Sequence, residues 1–342
     1  MKKFITLMLA SLVCFSLVAC GEKPAPESKL VIYSPNSDGE INAIIPAFEA
    51  ATGIKVEMQS MGTGDCLARI EAEIENPQAD VQWGGMNLGN YTRNPDLWEE
   101  YTSPNDTNLP ESFQSYNGHY SSYTLSGSAA LLINLDVFAE LGLNPDDFTG
   151  YESLLWPELK GHIAMGDPVA SSSAWAELTN MLLVMGDEAY DEKAWDFVEQ
   201  FIAQLDGNII SSSSQIYKGT ADGEYAVGVS YEDPCISLLV DGATNIRVIY
   251  PEEGAVWLPA GVAIVKGAPN MENAKKFVDF LLTEEAQRLL AETTTRPAMT
   301  DIANTSEFMK PFSEINQVFE DIPFVAENKT DWQTRWTDLF TK

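Results

Sequence analysis

Residues 30–58 read LVIYSPNSDGEINAIIPAFEAATGIKVEM, and residues 77–85 read PQADVQWGG. Leu30-Val31-Ile32-Tyr33 is a short apolar run bounded by turn residues, the pattern of a buried strand. Ser37 and Glu40 form a capping-box pair ahead of Ile41, Ile44, Ile45 and Phe48, whose spacing fits one face of a helix. Gly53 stops that helix. Residues 54–58 give the next strand, and a Gly-Thr-Gly loop follows. Asp65 is then placed to cap a helix running through Leu67, Ile70 and Ile74 to just before Pro77. Residues 80–83 supply a third strand that runs into Gly84-Gly85. A β-α-β-α-β order predicts a parallel sheet, with ligands in the crevice at the carboxyl ends of its strands. The loops that open there are 34–37, 62–65 and 82–85.

A second α/β unit begins near Ser126. Its strands are expected at 129–134, 163–165, 226–230 and 246–250, with helices over 174–185 and 191–205. Gly166-Asp167-Pro168 leads through Ser171-Ser172-Ser173 into the first of those helices, and Tyr231-Glu232-Asp233-Pro234 opens another. The serine run 211–214 reads as loop. From Gly261 the chain makes a strand over 262–265 and helices over 271–282 and 284–292. Trp195, Trp332 and Trp336 fall at core-like helical spacing, as does Trp175 one turn into its helix. The alternation predicts an α/β protein of two lobes, each a mainly parallel sheet flanked by helices, with a ligand cleft between them.

The amino terminus carries an address. Lys2 and Lys3 precede an apolar run too short to span a bilayer, and Leu-Val-Ala-Cys closes it at Cys20. This junction resembles the lipobox at which bacteria attach lipid to cysteine and cut. Residues 1–19 therefore read as a lipoprotein signal peptide and 20–28 as a flexible tether, with Cys20 the expected lipidation site. The full chain has 20 basic and 51 acidic side chains, a formal charge of −31. Such a field repels polyanions, so nucleic acid is not an expected partner. Only Cys66 and Cys235 remain beyond the leader, too few for a disulfide framework or a cysteine metal site.

The loops carry a resemblance that covers nearly the whole mature chain. The stretches at 30–34 (LVIYS), 64–73 (GDCLARIEAE), 77–85, 166–173 (GDPVASSS) and 261–282 (GVAIVKGAPNMENAKKFVDFLL), in that order, resemble a type 2 periplasmic binding protein. The branch is that of ABC-importer solute receptors for ferric iron, hexose phosphates, aminoethylphosphonate and thiamine. The resemblance implies lobe 1 from 29–125 plus 256–342, lobe 2 from 126–255, and a flytrap closure over a small-molecule solute. It also implies an ABC permease and its ATPase as partners, an exported, lipid-anchored monomer, and no cofactor or resident metal.

The site residues expected on this basis are Ser34, Asn36, Ser37, Thr63, Asp65, Trp83, Ser171, Ser173, Tyr231, Glu232, Glu253 and Trp257. Hydroxyls and amides at helix starts suit a phosphate or phosphonate, and Glu232 and Glu253 suit sugar hydroxyls or an ammonium. Asp65 also reads as a simple helix cap, and a carboxylate there sits poorly beside a phosphate. Trp83 and Trp257 read as cleft walls or as core. Ferric binders of the branch use two adjacent tyrosines where this chain has Tyr231-Glu232, so iron is the alternative rather than the favoured ligand. An enzyme is not expected, since neither His119 nor His162 lies in a catalytic motif and no G-x-S-x-G or HExxH occurs. A ligand-free scaffold or adhesin on the same fold is the third class.

Overall fold

In the computed structural model, the described residues are 28–115, 118–127 and 129–341. The leader, Cys20 and most of the tether lie outside them. The opening stretch folds as β1 (Lys29–Ser34), α1 (Asp38–Thr52), β2 (Lys55–Ser60), α2 (Thr63–Ala72), β3 (Val81–Met86) and α3 (Leu88–Arg93). β1 pairs in parallel with both β2 and β3. Ser37 caps α1, and Ile44 and Phe48 bury its inner face; Gly53, at φ 71°, closes the helix with its N–H on Glu49 O.

β4 (Ser121–Gly127) then crosses to the second lobe, which holds β5 (Ala130–Asn134), α4 (Leu135–Glu140), β6 (Ile163–Gly166), α5 (Ser172–Val184) and α6 (Glu192–Leu205). It continues with β7 (Ile209–Ile210), α7 (Ser213–Ala221), β8 (Val227–Ser230), α8 (Glu232–Val240) and β9 (Ile246–Ile249). The chain returns through β10 (Trp257–Ile264), α9 (Met271–Leu281), α10 (Glu284–Ala291) and β11 (Arg296–Pro297), and ends in α11 (Ile322–Phe340).

The first sheet has six strands in the order β11-β4-β10-β3-β1-β2, and the second five in the order β7-β6-β8-β5-β9. Both are mixed rather than mainly parallel. β10 runs antiparallel to β3 and β4, and β5 runs antiparallel to β8 and β9. The serine run does not stay loop: Ser213 and Ser214 begin α7. The C-terminal helix also departs from expectation. Expected with lobe 1 from the resemblance, α11 instead buries Val325, Trp332 and Trp336 in the core of lobe 2, where Trp332 stacks on Tyr190. Cys66 and Cys235 are free and buried in the cores of different lobes.

Candidate ligand-binding cleft

A cavity of about 500 Å³ opens between the lobes. Lobe 1 lines it with Asn36, Ser37 and Glu40 at the start of α1, with Tyr123 of β4, and with Thr294 and Thr295 just ahead of β11. Lobe 2 contributes Tyr217 and Lys218 from α7 and Tyr231 and Asp233 from the start of α8. The local folding explains this arrangement. β1 ends in a turn held by Ser34, whose Oγ donates to Trp83 O at 2.6 Å and accepts from Asn36 N at 3.1 Å. Asn36 Oδ1 accepts from the Tyr123 hydroxyl at 3.0 Å. It fits there because Gly84, at φ 93°, has no side chain; a Cβ on it would lie 1.9 Å from Asn36 Oδ1.

Four carboxyls line the cavity, Glu40, Glu232, Asp233 and Asp241, and two of them, Glu40 and Asp233, have raised pKa values. Glu40 comes from lobe 1 and is buried; burial, and then the charge of Asp233 across the cavity, pushes its pKa up to about 8 against hydrogen bonds with the Thr295 and Tyr123 hydroxyls. Burial also raises the Asp233 pKa, while the Thr294 hydroxyl, which donates to it, works the other way. Tyr231 and Tyr217 are raised above the ordinary phenol value, first by burial. Each is held back further by Asp233, and Tyr231 by Tyr217 as well. The cavity thus holds acceptors for hydroxyl or ammonium donors. Lys218 and the first amides of α1 and α8 offer an anion the opposite charge.

A family model for bacterial extracellular solute-binding proteins matches residues 43–312. The chain belongs to that family. In this solute-binding protein, 298 residues align at 28% identity with iron uptake protein A1 of Synechocystis sp., covering 81% of the chain and 79% of the relative. The putative 2-aminoethylphosphonate-binding periplasmic protein of Salmonella typhimurium aligns over 349 residues at 23% identity, covering 97% of the chain and 95% of the relative. Among solved structures, the periplasmic binding protein AfuA from Actinobacillus pleuropneumoniae, with fructose-6-phosphate bound, superposes with a TM-score of 0.77. It is 25% identical, with 92% of this chain and 99% of that one covered.

Of the expected site residues, Asn36, Ser37, Tyr231 and Glu232 line the solute-binding protein's cavity. Glu232 is not a free acceptor there. Its carboxylate is buried and receives Arg296 Nε at 2.7 Å, Arg296 Nη2 at 2.6 Å, Tyr250 OH at 2.5 Å and Trp257 Nε1 at 3.2 Å. Trp257 is therefore committed to this cluster. Glu253 lies outside the cavity lining, accepting from the backbone N–H groups of Tyr151 at 3.1 Å and Glu152 at 2.8 Å.

Trp83 is fully buried in the lobe 1 core and is no cleft wall. Ser34 is likewise buried and spent on the turn. Asp65 is exposed and does not cap α2, whose N-cap is Gly62. Thr63 packs against Gly85 and lies outside the cavity lining. Ser171 caps α5 by accepting from Ala174 N at 3.3 Å and pairs with Ser173 at 3.0 Å, again outside the lining.

Sequence reading missed Tyr217, Lys218, Thr294 and Thr295, and took Glu40 only as half of a capping box. The Ser37 half is made, at 3.5 Å from Glu40 N, but the glutamate carboxyl turns to Thr295 and Tyr123 instead of back to the cap.

Glu40 gives a pH signature. Below about pH 4.5 both folded and unfolded chains carry it protonated, whereas between about 4.5 and about 8 the folded chain keeps a proton that the unfolded chain has lost. Stability should therefore fall as pH rises through that window, with a slope from this group of up to about 1.4 kcal/mol per pH unit. Glu40→Gln should flatten the decline, measured by denaturation of ligand-free protein over a pH series. Parallel curves for wild type and variant would contradict the assignment.

Proposed function

We propose that this protein is the receptor of an ABC import system. It would take a small polar solute between its two lobes and deliver it to the permease as an exported monomer tethered by lipid on Cys20. The favoured solute is a phosphorylated sugar or a phosphonate, a molecule carrying an anionic group together with hydroxyls or an ammonium. One observation carries this reading. The same cavity holds the carboxyls Glu40 and Asp233, ringed by hydroxyls, together with the Lys218 amine and the starts of α1 and α8. α8 has no side-chain cap on its first amides, which leaves those donors for a ligand. The named relatives for aminoethylphosphonate and the fructose-6-phosphate complex support the class.

Ferric iron is the second reading, and a specific observation favours it. No two tyrosines are adjacent in the sequence, yet Tyr217 and Tyr231 meet in the cavity beside two carboxyls. Phenolate and carboxylate oxygens suit a hard cation.

Thermal shift with glucose 6-phosphate, 2-aminoethylphosphonate and ferric citrate distinguishes the two. The expected response is to an organophosphorus solute, with about 2.7 kcal/mol of stabilisation at a hundredfold excess over Kd and no turnover of the solute. A response to ferric citrate alone would select iron. For the anchor, Cys20→Ser should abolish lipid labelling and yield soluble protein or unprocessed precursor; unchanged labelling would rule out Cys20 as the site.

A further inference from the structure

Residues 294–296 of lobe 1, where the chain leaves α10 and enters β11, reach across to the start of α8 in lobe 2. Their own lobe holds them in place. Thr293 Oγ1 donates to Leu290 O at 2.6 Å, Asn304 Nδ2 donates to Thr295 O at 2.7 Å, and Arg296 pairs in register with Leu125 of β4. From that base Arg296 grips Glu232, the first residue of α8, and the Thr294 hydroxyl donates to the Asp233 carboxylate. Ser237 follows about one helical turn beyond Asp233 and so lies on the same side of α8. Its Oγ is 3.0 Å from Thr294 Oγ1.

These contacts between lobes differ in where they stand relative to the crossing strands. β4 carries the chain out of lobe 1 and β10 brings it back, with Gly127 opposite Trp257 and Arg296 opposite Leu125. Glu232 packs onto the same place. It accepts from Trp257 Nε1 at 3.2 Å, and a Cβ on Gly127 would lie 3.0 Å from the Glu232 Cβ. The buried ion pair therefore sits on the strands about which the lobes must turn, and a swing of the lobes moves its two members little relative to each other.

Thr294 acts farther out. Ser237 lies beyond Glu232 along α8, by about 7.5 Å at the rise of a helix. A swing of about 20° about the ion pair would carry Ser237 roughly 2.6 Å, enough to break a hydrogen bond. Asp233 also lines the solute cavity, so the Thr294 bond that joins the lobes also fixes the direction of an acceptor in the cleft.

We propose that Thr294 is a closure latch. Its hydroxyl ties Asp233 and Ser237 to lobe 1 when the lobes are shut, and the Glu232–Arg296 pair on the crossing strands is the pivot, which stays made when they open. A bond present only in the shut form shifts the equilibrium towards that form by the bond's own free energy. For a hydroxyl on a carboxylate the shift is about tenfold or more.

Small-angle X-ray scattering of the ligand-free protein tests the latch, with far-UV circular dichroism to establish that each variant is folded. Wild type should scatter as the shut arrangement, with Thr294 bonded to α8. Thr294→Val keeps the side-chain shape and removes the hydroxyl, so the open-to-shut ratio should rise about tenfold or more and the radius of gyration should increase. Thr294→Asp sets a second carboxylate against Asp233 and should open the lobes further, whereas Thr294→Ser retains the hydroxyl and should scatter as wild type. Thr294→Val and Thr294→Asp that both scatter as wild type would overturn the proposal, as would a wild type already as open as Thr294→Asp. No solute is added, so these outcomes do not depend on whether the cavity takes the organophosphorus solute proposed above.

Discussion

Arg296→Ala should lower the unfolding free energy of the ligand-free protein by about 3–5 kcal/mol, far more than an average substitution. Arg296 begins β11 in lobe 1 and Glu232 begins α8 in lobe 2, and only 4% and 3% of their side chains are exposed. Arg296 makes two bonds to the carboxylate and a third, at 2.7 Å, to Lys310 O. Its guanidinium also lies 5.2 Å from the Trp257 ring centre and 4.3 Å from that of Phe312. Removing it leaves a buried carboxylate with only Tyr250 and Trp257 as donors, and an uncompensated buried charge is what makes such breaks severe. The partner substitution separates charge from packing. Glu232→Gln added to Arg296→Ala should recover part of the loss, because the orphaned charge is gone. Urea denaturation checks both; a loss below about 1 kcal/mol for Arg296→Ala would mean that the pair behaves as a solvated surface bridge.

Trp83→Ala is the second large effect, again about 3–5 kcal/mol. The ring is fully buried, edge-on to Phe277 at 5.4 Å between centroids and tilted against Tyr123 at 6.0 Å. Deleting it removes the shared filling between β3, β4 and α9 and leaves a void that close-packed neighbours refill only partly. Trp83→Phe keeps a ring against Phe277 and should cost less while binding solute as wild type does. Strong loss of affinity in Trp83→Phe, with stability unchanged, would return this residue to the cleft wall.

Local signals made the first lobe legible. Strand and helix periodicity, the Ser37 cap and the Gly53 stop place β1, α1 and β2 to within two residues, because each is decided by its neighbours in sequence, whereas the bounds of α2 and β3 were off by three or more residues at one end. Elements decided at long range were not legible. The first half of β10 was missed: the strand was expected only from 262, yet it begins at Trp257. Pro259 is tolerated there because β10 pairs at that point with β4 only, before its pairing with β3 begins at Gly261. α7 was missed because its start is a serine run and its packing depends on glycine contacts. Gly228 of β8 lets Thr220 approach, and a Cβ there would lie 2.4 Å from Thr220 Oγ1. Missing α7 meant missing Tyr217 and Lys218.

The errors over carboxylates have a similar cause. Glu232 and Glu253 each follow a strand end and precede or begin a turn, which is where a ligand acceptor would stand. What decides their role is a partner 64 residues away in one case and backbone amides 101 and 102 residues away in the other. Sequence order carries no trace of either. The same holds for Glu40 and Asp233, which meet only once two lobes are assembled.

On the proposed function, solute binds between Glu40, Lys218, Tyr231 and Asp233 in the cavity that joins the lobes. Calorimetric titration tests it most directly, with the solute that stabilises wild type added to wild type, Tyr231→Ala and Lys218→Ala. Binding to wild type should be one-to-one, with affinity weakened by about tenfold or more in both variants. Undiminished affinity in both variants would contradict it, since the solute would then be held elsewhere on the molecule.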